Sequence, residues 1–179
     1  MSGFIHWYEN GWSADRAART VARIESLGLS LSEDTDRNAL LGRLSLTEIT
    51  RLDVEFWLDA DTALYGRFRR VGGDVVAQEF DLDGLSSVEQ NQLVQGIAEL
   101  FGEDADNTVG FVVDRSGCSE DVEWDEVVLG HPKIVTVRPD VLALPCTVIE
   151  DLHPELQKLN GRAMGALTVY DRTNVLAGA

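Results

Sequence analysis

Three β-prone stretches follow one another between residues 51 and 82, and they constrain the fold more than any other feature of this chain. Short turns separate them, and the second turn contains Gly72-Gly73, a pair that accepts positive φ without a Cβ clash. Strands joined by turns this short pair with each other in antiparallel fashion. The pattern therefore predicts three consecutive antiparallel strands.

The first of these stretches, residues 51–59, alternates between the two faces of a strand. Its apolar face carries Leu52, Val54, Phe56 and Leu58, and its other face carries Asp53, Glu55 and Trp57. Trp57 is the exception, because a large apolar side chain shares a face with two acids. Two interpretations follow: a helix covers this second face and buries Trp57, or the indole is available to a partner.

Amphipathic helices flank the strand block. Ser13 is a suitable N-cap for a helix whose apolar residues recur at intervals of three and four up to Leu27. Ser86 and Glu89 form a capping-box pattern ahead of a second helix, which we expect to end at Gly102. The order of helix, three strands, helix, strand and mixed tail predicts an α+β fold with a mainly antiparallel sheet and helices packed on one face.

Shorter patterns predict the remaining elements. Residues 29–38 are polar and indicate a loop, and residues 39–50 are ambiguous between helix and strand. We expect a helix that begins with Ser119 as its cap and a short helix within residues 152–159. Apolar runs predict further strands at residues 4–9, 108–114, 133–137, 140–144 and 166–171.

The length of 179 residues fits a single domain spanning residues 1–179. The loop at residues 29–38 is the one boundary to consider, so the alternative is an N-terminal helical extension over residues 1–38. No apolar run reaches the ~18 residues of a membrane span, and the first residues lack a basic and apolar leader. The chain has two cysteines, which we expect to stay unpaired, and these features together predict a cytoplasmic protein.

The formal net charge of −16 at pH 7, from 31 acids against 15 bases, is the best indication of what the protein contacts. Nucleic-acid binders replace phosphate counterions with Lys and Arg, so this charge argues against nucleic acid and, for the same reason, against an anionic membrane. It favours rapid encounter with basic surfaces. The alternative is that the acids serve solubility alone. The preference for Arg over Lys suggests a bacterial source.

The densest acidic stretch is CSEDVEWDE, residues 118–126, which we call the acidic segment. Its acids fall on several sides of a helix and need not converge on a metal ion. A calcium loop starting at Asp104 fails, because Val109 and Arg115 occupy positions that require Gly and Glu. Cys118 lacks the second ligand pair of a zinc site, and its acidic surroundings disfavour a reactive thiolate. We therefore predict neither a metal site nor a cofactor.

No catalytic motif in the sequence is specific enough to name a reaction. The chain lacks the G-x-S-x-G elbow of serine hydrolases, the P-loop and the G-x-G-x-x-G dinucleotide fingerprint. Its three histidines are scattered, and packing or surface roles explain them best. Arg67 and Arg69 share one face of a strand, and we expect them to form cross-strand ion pairs with Glu79 and its neighbours.

These observations favour a non-enzymatic acidic protein-binding domain that presents carboxylates and aromatic anchors to a basic protein partner. An inhibitor or immunity protein for a cationic bacterial toxin or nuclease would have this composition. Two alternatives stay open: an oligomeric accessory or structural subunit, and a small hydrolase with an unrecognised Asp, Glu and His site. The predicted partner-binding residues are Glu120, Asp121, Glu123, Trp124, Asp125, Glu126 and Trp57.

Overall fold

The structure is a computed structural model that describes residues 2–46, 51–154 and 156–176. Within these residues, nine strands form one antiparallel sheet. The strands are β1 (Phe4–Glu9), β2 (Ser30–Leu31), β3 (Leu52–Trp57), β4 (Ala63–Gly72), β5 (Val75–Asp81), β6 (Thr108–Asp114), β7 (Val141–Pro145), β8 (Arg162–Met164) and β9 (Leu167–Asp171). Across the sheet they lie in the order β2-β3-β4-β5-β1-β6-β7-β9-β8.

Helices accompany the sheet on both of its faces. Those in the described ranges are α1 (Ala14–Ser26), α2 (Arg37–Leu44), α3 (Ser87–Glu103), α4 (Trp124–Val128) and α5 (Cys146–Leu152), with short 3-10 turns at Ala105–Asn107 and Leu156–Lys158. None of these helices is long and apolar enough to cross a bilayer.

The predicted block of three antiparallel strands is confirmed as β3, β4 and β5. Their register places Asp53 opposite Arg67, and Arg67 opposite Glu79. Gly73 makes the turn between β4 and β5 with a φ of +53°, a conformation that residues with a side chain rarely adopt. The turn pair seen in the sequence therefore fixes this hairpin.

The N-terminal strand β1 lies in the middle of the sheet. It pairs with β5 on one side and with β6 on the other. Because successive side chains of a strand point to opposite faces, β1 contributes Ile5, Trp7 and Glu9 to one face and His6 and Tyr8 to the other.

The first face of the sheet is covered by α1, α2 and α3. Their apolar residues share a core with Trp7, Phe56 and Phe68, none of which has measurable exposure. The α+β fold with a mainly antiparallel sheet is thus confirmed. Helices were predicted on one face, where α1, α2 and α3 lie, whereas α4 and α5 lie on the other.

The second face is covered in one half. There α4 and α5 pack on β1, β6, β7 and β9, burying side chains such as Tyr8 and Leu142. Gly110 permits this approach, because a Cβ at that position would lie 2.6 Å from the side chain of Val128 in α4. The other half, formed by β3, β4, β5 and the start of β1, carries half-exposed and exposed side chains.

The strand predicted at residues 133–137 is wrong. Among the described residues this stretch forms no strand and is irregular. Pro132 and Pro139 bracket it and cannot donate backbone hydrogen bonds to a ladder. Val135 is buried instead in the core beneath α4 and α5.

Two helix boundaries in the structure also differ from the predicted ones. The helix expected from Ser119 begins later, at Trp124, because the amide and hydroxyl of Ser119 both donate to the Asp114 carboxylate at 2.6 Å. The second long helix, α3, continues through Gly102, since its last turn is closed by the Asp104 amide, which donates to the Phe101 carbonyl at 3.1 Å.

Three further stretches are more structured, or structured differently, than predicted. The loop at residues 29–38 contains β2 and the start of α2, which Asp36 caps by accepting from the amides of residues 38 and 39. Residues 39–44 are helical, whereas residues 47–50 lie outside the described ranges. Within residues 152–159, α5 ends at Leu152 and a 3-10 turn follows.

Cys118 and Cys146 are free thiols.

Candidate functional site

The uncovered half of the second face presents a group of polar side chains. Strand pairing places its side chains directly opposite one another, so they form continuous rows across four strands. We call this surface the open face, and it consists of His6, Asp53, Glu55, Trp57, Tyr65, Arg67, Arg69, Glu79 and Asp81.

An ion-pair ladder crosses the open face. Arg67 donates from Nε to Asp53 Oδ1 at 2.9 Å and from Nη1 to Glu79 Oε2 at 3.0 Å. Arg69 donates from Nε to Glu79 Oε1 at 2.6 Å and from Nη2 to Asp125 Oδ1 at 2.9 Å. The expected cross-strand ion pairs are confirmed, and the ladder continues through Asp125 into α4.

The open face is concave and adjoins the acidic segment. A depression of about 360 Å³ is lined by both charge signs of the ladder, by the rings of Phe4, His6 and Tyr65, and by Glu120 of the acidic segment. A second depression of about 240 Å³ lies between His6, Arg69 and residues 122–126. The open face and the acidic segment therefore form one continuous surface.

The start of the acidic segment is held in place by Asp114, a residue at the end of β6 that is almost fully buried. Its Oδ1 accepts from the Ser116 amide at 3.0 Å, and its Oδ2 accepts from the amide and hydroxyl of Ser119. Desolvation opposes ionisation, but these hydrogen bonds hold the pKa of Asp114 below its ordinary value. The carboxylate thereby fixes the loop from which Glu120 and Asp121 project.

The residues predicted to bind a partner fall into two groups. Glu120, Asp121 and Glu123 are exposed, and of these Glu123 is paired with Lys133. Glu120 lines the larger depression and accepts a long hydrogen bond of 3.4 Å from the amide of Ser2. Glu120 and Asp121 are therefore the members of the acidic segment whose charge is most available to a partner.

The other members of the acidic segment are already engaged. Trp124 is 3% exposed, and its indole donates to the Ser119 carbonyl at 3.2 Å. Asp125 is half-buried and pairs with Arg69, and Glu126 contacts His131. In this conformation Trp124 supports the packing of α4, and Asp125 joins α4 to the open face.

Two aromatic side chains lie on the open face near its outer edge. Trp57, at the end of β3, is half-buried on the same face as Asp53 and Glu55, as the alternation predicted. Tyr65, which lies opposite Glu55 on β4, is 60% exposed and donates its hydroxyl to Glu55 Oε1 at 3.2 Å. These rings supply apolar area beside carboxylates.

His6 lies between the two depressions. Desolvation lowers the pKa of His6 from 6.5 to about 4, although the carboxylates of Glu79 and Asp125 oppose the shift. Its Nδ1 is 3.4 Å from the hydroxyl of Tyr8, and that hydroxyl donates to Asp125 Oδ1 at 2.9 Å. The imidazole is therefore neutral near pH 7 and is surrounded by groups with other partners.

A separate polar cluster lies on the first face, beneath α1. Glu9 has no measurable exposure, and its carboxylate contacts Arg16 Nη2 at 2.6 Å and accepts from the Thr20 hydroxyl at 2.9 Å. Desolvation raises the pKa of Glu9, against the opposing effect of Arg16. We call this group the buried ionic cluster, and it consists of Glu9, Arg16, Thr20, Arg23, Gln78 and Asp104.

The described residues contain no group of three or more His, Cys, Asp and Glu side chains arranged to hold a metal ion.

Comparison with known proteins does not assign the chain to a family. No protein-family model matches the chain, and no curated protein matches it. Among solved structures, the fold is similar to a chain in the crystal structure of the toxic C-terminal tip of CdiA from Pseudomonas aeruginosa in complex with immune protein. The two share 13% sequence identity with a TM-score of 0.39, over 66% of this chain and 90% of that chain. A likeness this weak carries no argument about function.

Several residues of the open face and the acidic segment's surroundings were not predicted from the sequence. His6, Tyr65 and Asp81 come together through strand register, which a single sequence does not reveal. Asp114 carried a usable signal, because an Asp followed by Ser at the second position and again at the fifth is typical of a side-chain-capped turn.

Proposed function

We propose that this protein is a non-enzymatic binding protein that uses the open face and the acidic segment to hold a basic protein partner. The observation that carries this proposal is the uncovered half of the sheet's second face, which is concave and continuous with the acidic segment. In the other half, α4 and α5 cover the same face. A partner would supply the layer that residues 2–46, 51–154 and 156–176 do not.

The charges of the surface favour a cationic partner. The two arginines of the ladder are each shared between carboxylates, so their charge is neutralised locally. The carboxylates of Glu55, Asp81, Glu120 and Asp121 have no cationic partner among the described residues, which leaves a negative surplus. Such a surplus accelerates encounter with a basic surface and screens strongly with salt.

The aromatic rings provide the second component of binding. Long-range charge mainly raises the association rate, whereas buried aromatic anchors slow dissociation. Trp57 and Tyr65 lie beside the free carboxylates and are positioned for this role. The finer interpretation is that the protein is an inhibitor or immunity protein, in which occupation of this surface blocks a cationic bacterial toxin or nuclease.

A matched pair of variants tests the location of the binding surface. Glu120→Gln/Asp121→Asn removes two exposed acids of the acidic segment, and Glu33→Gln/Asp34→Asn removes two exposed acids from the loop before α2. Both change the net charge equally. We expect the immobilised wild-type protein to capture a basic protein from a lysate of the producing cells, and the immobilised control variant to do the same. Both should bind the captured protein with an association rate that falls as the salt concentration rises.

For the captured partner, the Glu120/Asp121 variant should lower the association rate at least threefold at low salt, in surface plasmon resonance. Trp57→Ala and Tyr65→Ala should each speed dissociation roughly tenfold, the usual size of an aromatic anchor. If the two double variants behave alike, the acids serve solubility and the proposed surface is wrong.

A small hydrolase is the second candidate, because one observation favours it. His6 contributes to both depressions, as a histidine of an unrecognised active site would. With a pKa of about 4, however, it would be a weak general base near neutrality, and adjacent Glu79 is held by two arginines. Turnover of aryl esters or phosphate esters at pH 4–6 that His6→Gln abolishes would favour this candidate over the binding protein.

A further inference from the structure

A further cavity, separate from the two depressions of the open face, lies in the covered half of the sheet's second face. It has a volume of about 220 Å³ and opens between β7, β9 and the 3-10 turn at Leu156–Lys158. The proposed protein-binding function does not use this cavity.

The interior of the cavity is apolar and pre-formed by the core. Leu142, Leu156 and Tyr170 line it and are 3%, 2% and 8% exposed. Pro139 and Leu159 complete the apolar lining. A ligand with an apolar body would therefore displace water from a surface that is already shaped, which is the usual character of small-molecule sites.

Polar groups converge at the same cavity. Arg138, Asn160 and Arg172 line it and are exposed. Arg172 donates from Nη1 to the Arg138 carbonyl at 3.0 Å, and its own backbone amide donates to the Asp140 carbonyl at 2.9 Å. These hydrogen bonds tie the two arginine-bearing segments together beside the cavity.

The positive charge at this cavity is not neutralised by the described part of the chain. Among the described residues, neither Arg138 nor Arg172 forms an ion pair with a carboxylate. The arginines of the ladder and of the buried ionic cluster all do.

The nearby carboxylates are committed elsewhere. Asp171 accepts from the amides of Thr173 at 3.0 Å and Leu176 at 2.7 Å. Asp140 accepts from the amide of Arg115 at 2.9 Å. Within the described residues, a protein with a net charge of −16 thus keeps two guanidinium groups without a carboxylate partner beside one apolar cavity.

We propose that this cavity binds a small organic carboxylate with an apolar body. The planar guanidinium group matches the two oxygens of a carboxylate, and the apolar lining accepts the remainder of the ligand. The volume lies below the usual range for drug-sized ligands, so the ligand is of the size of an arylalkyl or branched aliphatic acid. Asp171 also lines the cavity, and its charge disfavours a dianion such as a phosphate monoester.

The test uses 3-phenylpropanoate as the probe and the wild-type protein, with binding followed by amide NMR shifts. We expect a Kd on the order of 1 mM, as the size of the probe allows, with shifts centred on residues 138–142, 156–160 and 170–172. The neutral amide 3-phenylpropanamide should bind at least tenfold more weakly, and acetate, which lacks the apolar body, should cause no saturable shift.

Matched charge variants complete the test. Arg138→Gln/Arg172→Gln should weaken binding of the probe at least tenfold, whereas Arg19→Gln/Arg43→Gln, which removes two exposed arginines elsewhere, should leave it unchanged. Arg138→Gln alone keeps the hydrogen bond to the 138 carbonyl and should still weaken binding. The proposal is overturned by absence of saturable shifts at 10 mM, by equal binding of the amide, by tighter binding of phenyl phosphate, or by equal effects of the two double variants.

Discussion

Strand β1 separates two polar clusters built from the same residue types, and they differ in their access to water. On the first face, Glu9 is fully enclosed and meets Arg16, which is 7% exposed. On the second face, the side chains of Arg67 and Asp53 in the ladder are 40% and 46% exposed. Adjacent residues of β5 show the same division, because Gln78 contacts Glu9 and Glu79 joins the ladder.

The difference shows which polar cluster supports the fold and which is suited to binding. A charge in the buried ionic cluster that loses its partner has no water to replace it, so the cluster must stay complete. Water replaces a lost partner at little cost at the exposed end of the ladder, where Arg67 and Asp53 lie. In the proposed binding function, Arg67 and Asp53 would exchange contacts within the ladder for contacts with the partner, whereas Glu9 and Arg16 would stay paired.

The largest expected effect comes from breaking the buried ionic cluster. Arg16→Met leaves the Glu9 carboxylate buried beside Thr20 and Gln78 without its cation. We expect the free energy of unfolding to fall by about 3–5 kcal/mol in urea denaturation. The double variant Glu9→Gln/Arg16→Met removes both charges and should recover much of this loss. A loss below about 1 kcal/mol for Arg16→Met would show that the buried ionic cluster is not a structural requirement.

The next effect is the dependence of stability on pH through His6. Its folded pKa of about 4 lies below the unfolded value of 6.5, so the unfolded state binds the proton first as the pH falls. The contribution of His6 to the free energy of unfolding is thus fully present above pH 6.5. It is lost as the pH falls toward 4, by up to about 3 kcal/mol in all.

Comparison with His6→Gln isolates the contribution of this residue. The variant should lack the decline between pH 6.5 and 4.5, as measured by urea denaturation across that range. The raised pKa of Glu9 acts with the opposite sign and is present in both proteins, so it cancels in the difference. Identical pH profiles would show that His6 is solvated in the folded state.

The smallest effect is expected on the open face. Arg67→Gln removes contacts with Asp53, whose side chain is 46% exposed, and with Glu79, which keeps its ion pair with Arg69. We expect a loss of at most about 1 kcal/mol by the same urea measurement. A loss comparable to that of Arg16→Met would remove the distinction between the two clusters, and the open face would then be a structural element.

Much of the strand block could be predicted from the sequence, because its signals are local. The alternation in residues 52–58 and the Gly72-Gly73 turn depend on neighbouring residues alone, and the structure reproduces both. The predicted strand at 133–137 failed although its local pattern was similar. The flanking prolines and the burial of Val135 against α4 and α5 decided its conformation, and only the tertiary fold reveals that burial.

The candidate site was predictable in part for the same reason. Sequence density located the acidic segment, but it did not distinguish the exposed Glu120 from the engaged Asp125 or the buried Trp124. That distinction depends on the position of α4 against β1. The placement of β1 between β5 and β6 is a long-range pairing, and it brought His6 into the site without any local signal.

The central position of β1 also affects how the protein is made. Residues 4–9 leave the ribosome before their hydrogen-bonding neighbours, residues 75–81 and 108–114. Until both have been synthesised, the strand exposes an unpaired edge with Phe4, Ile5 and Trp7, a combination prone to aggregation. We therefore expect a fragment that ends before residue 108 to aggregate more readily than the full chain.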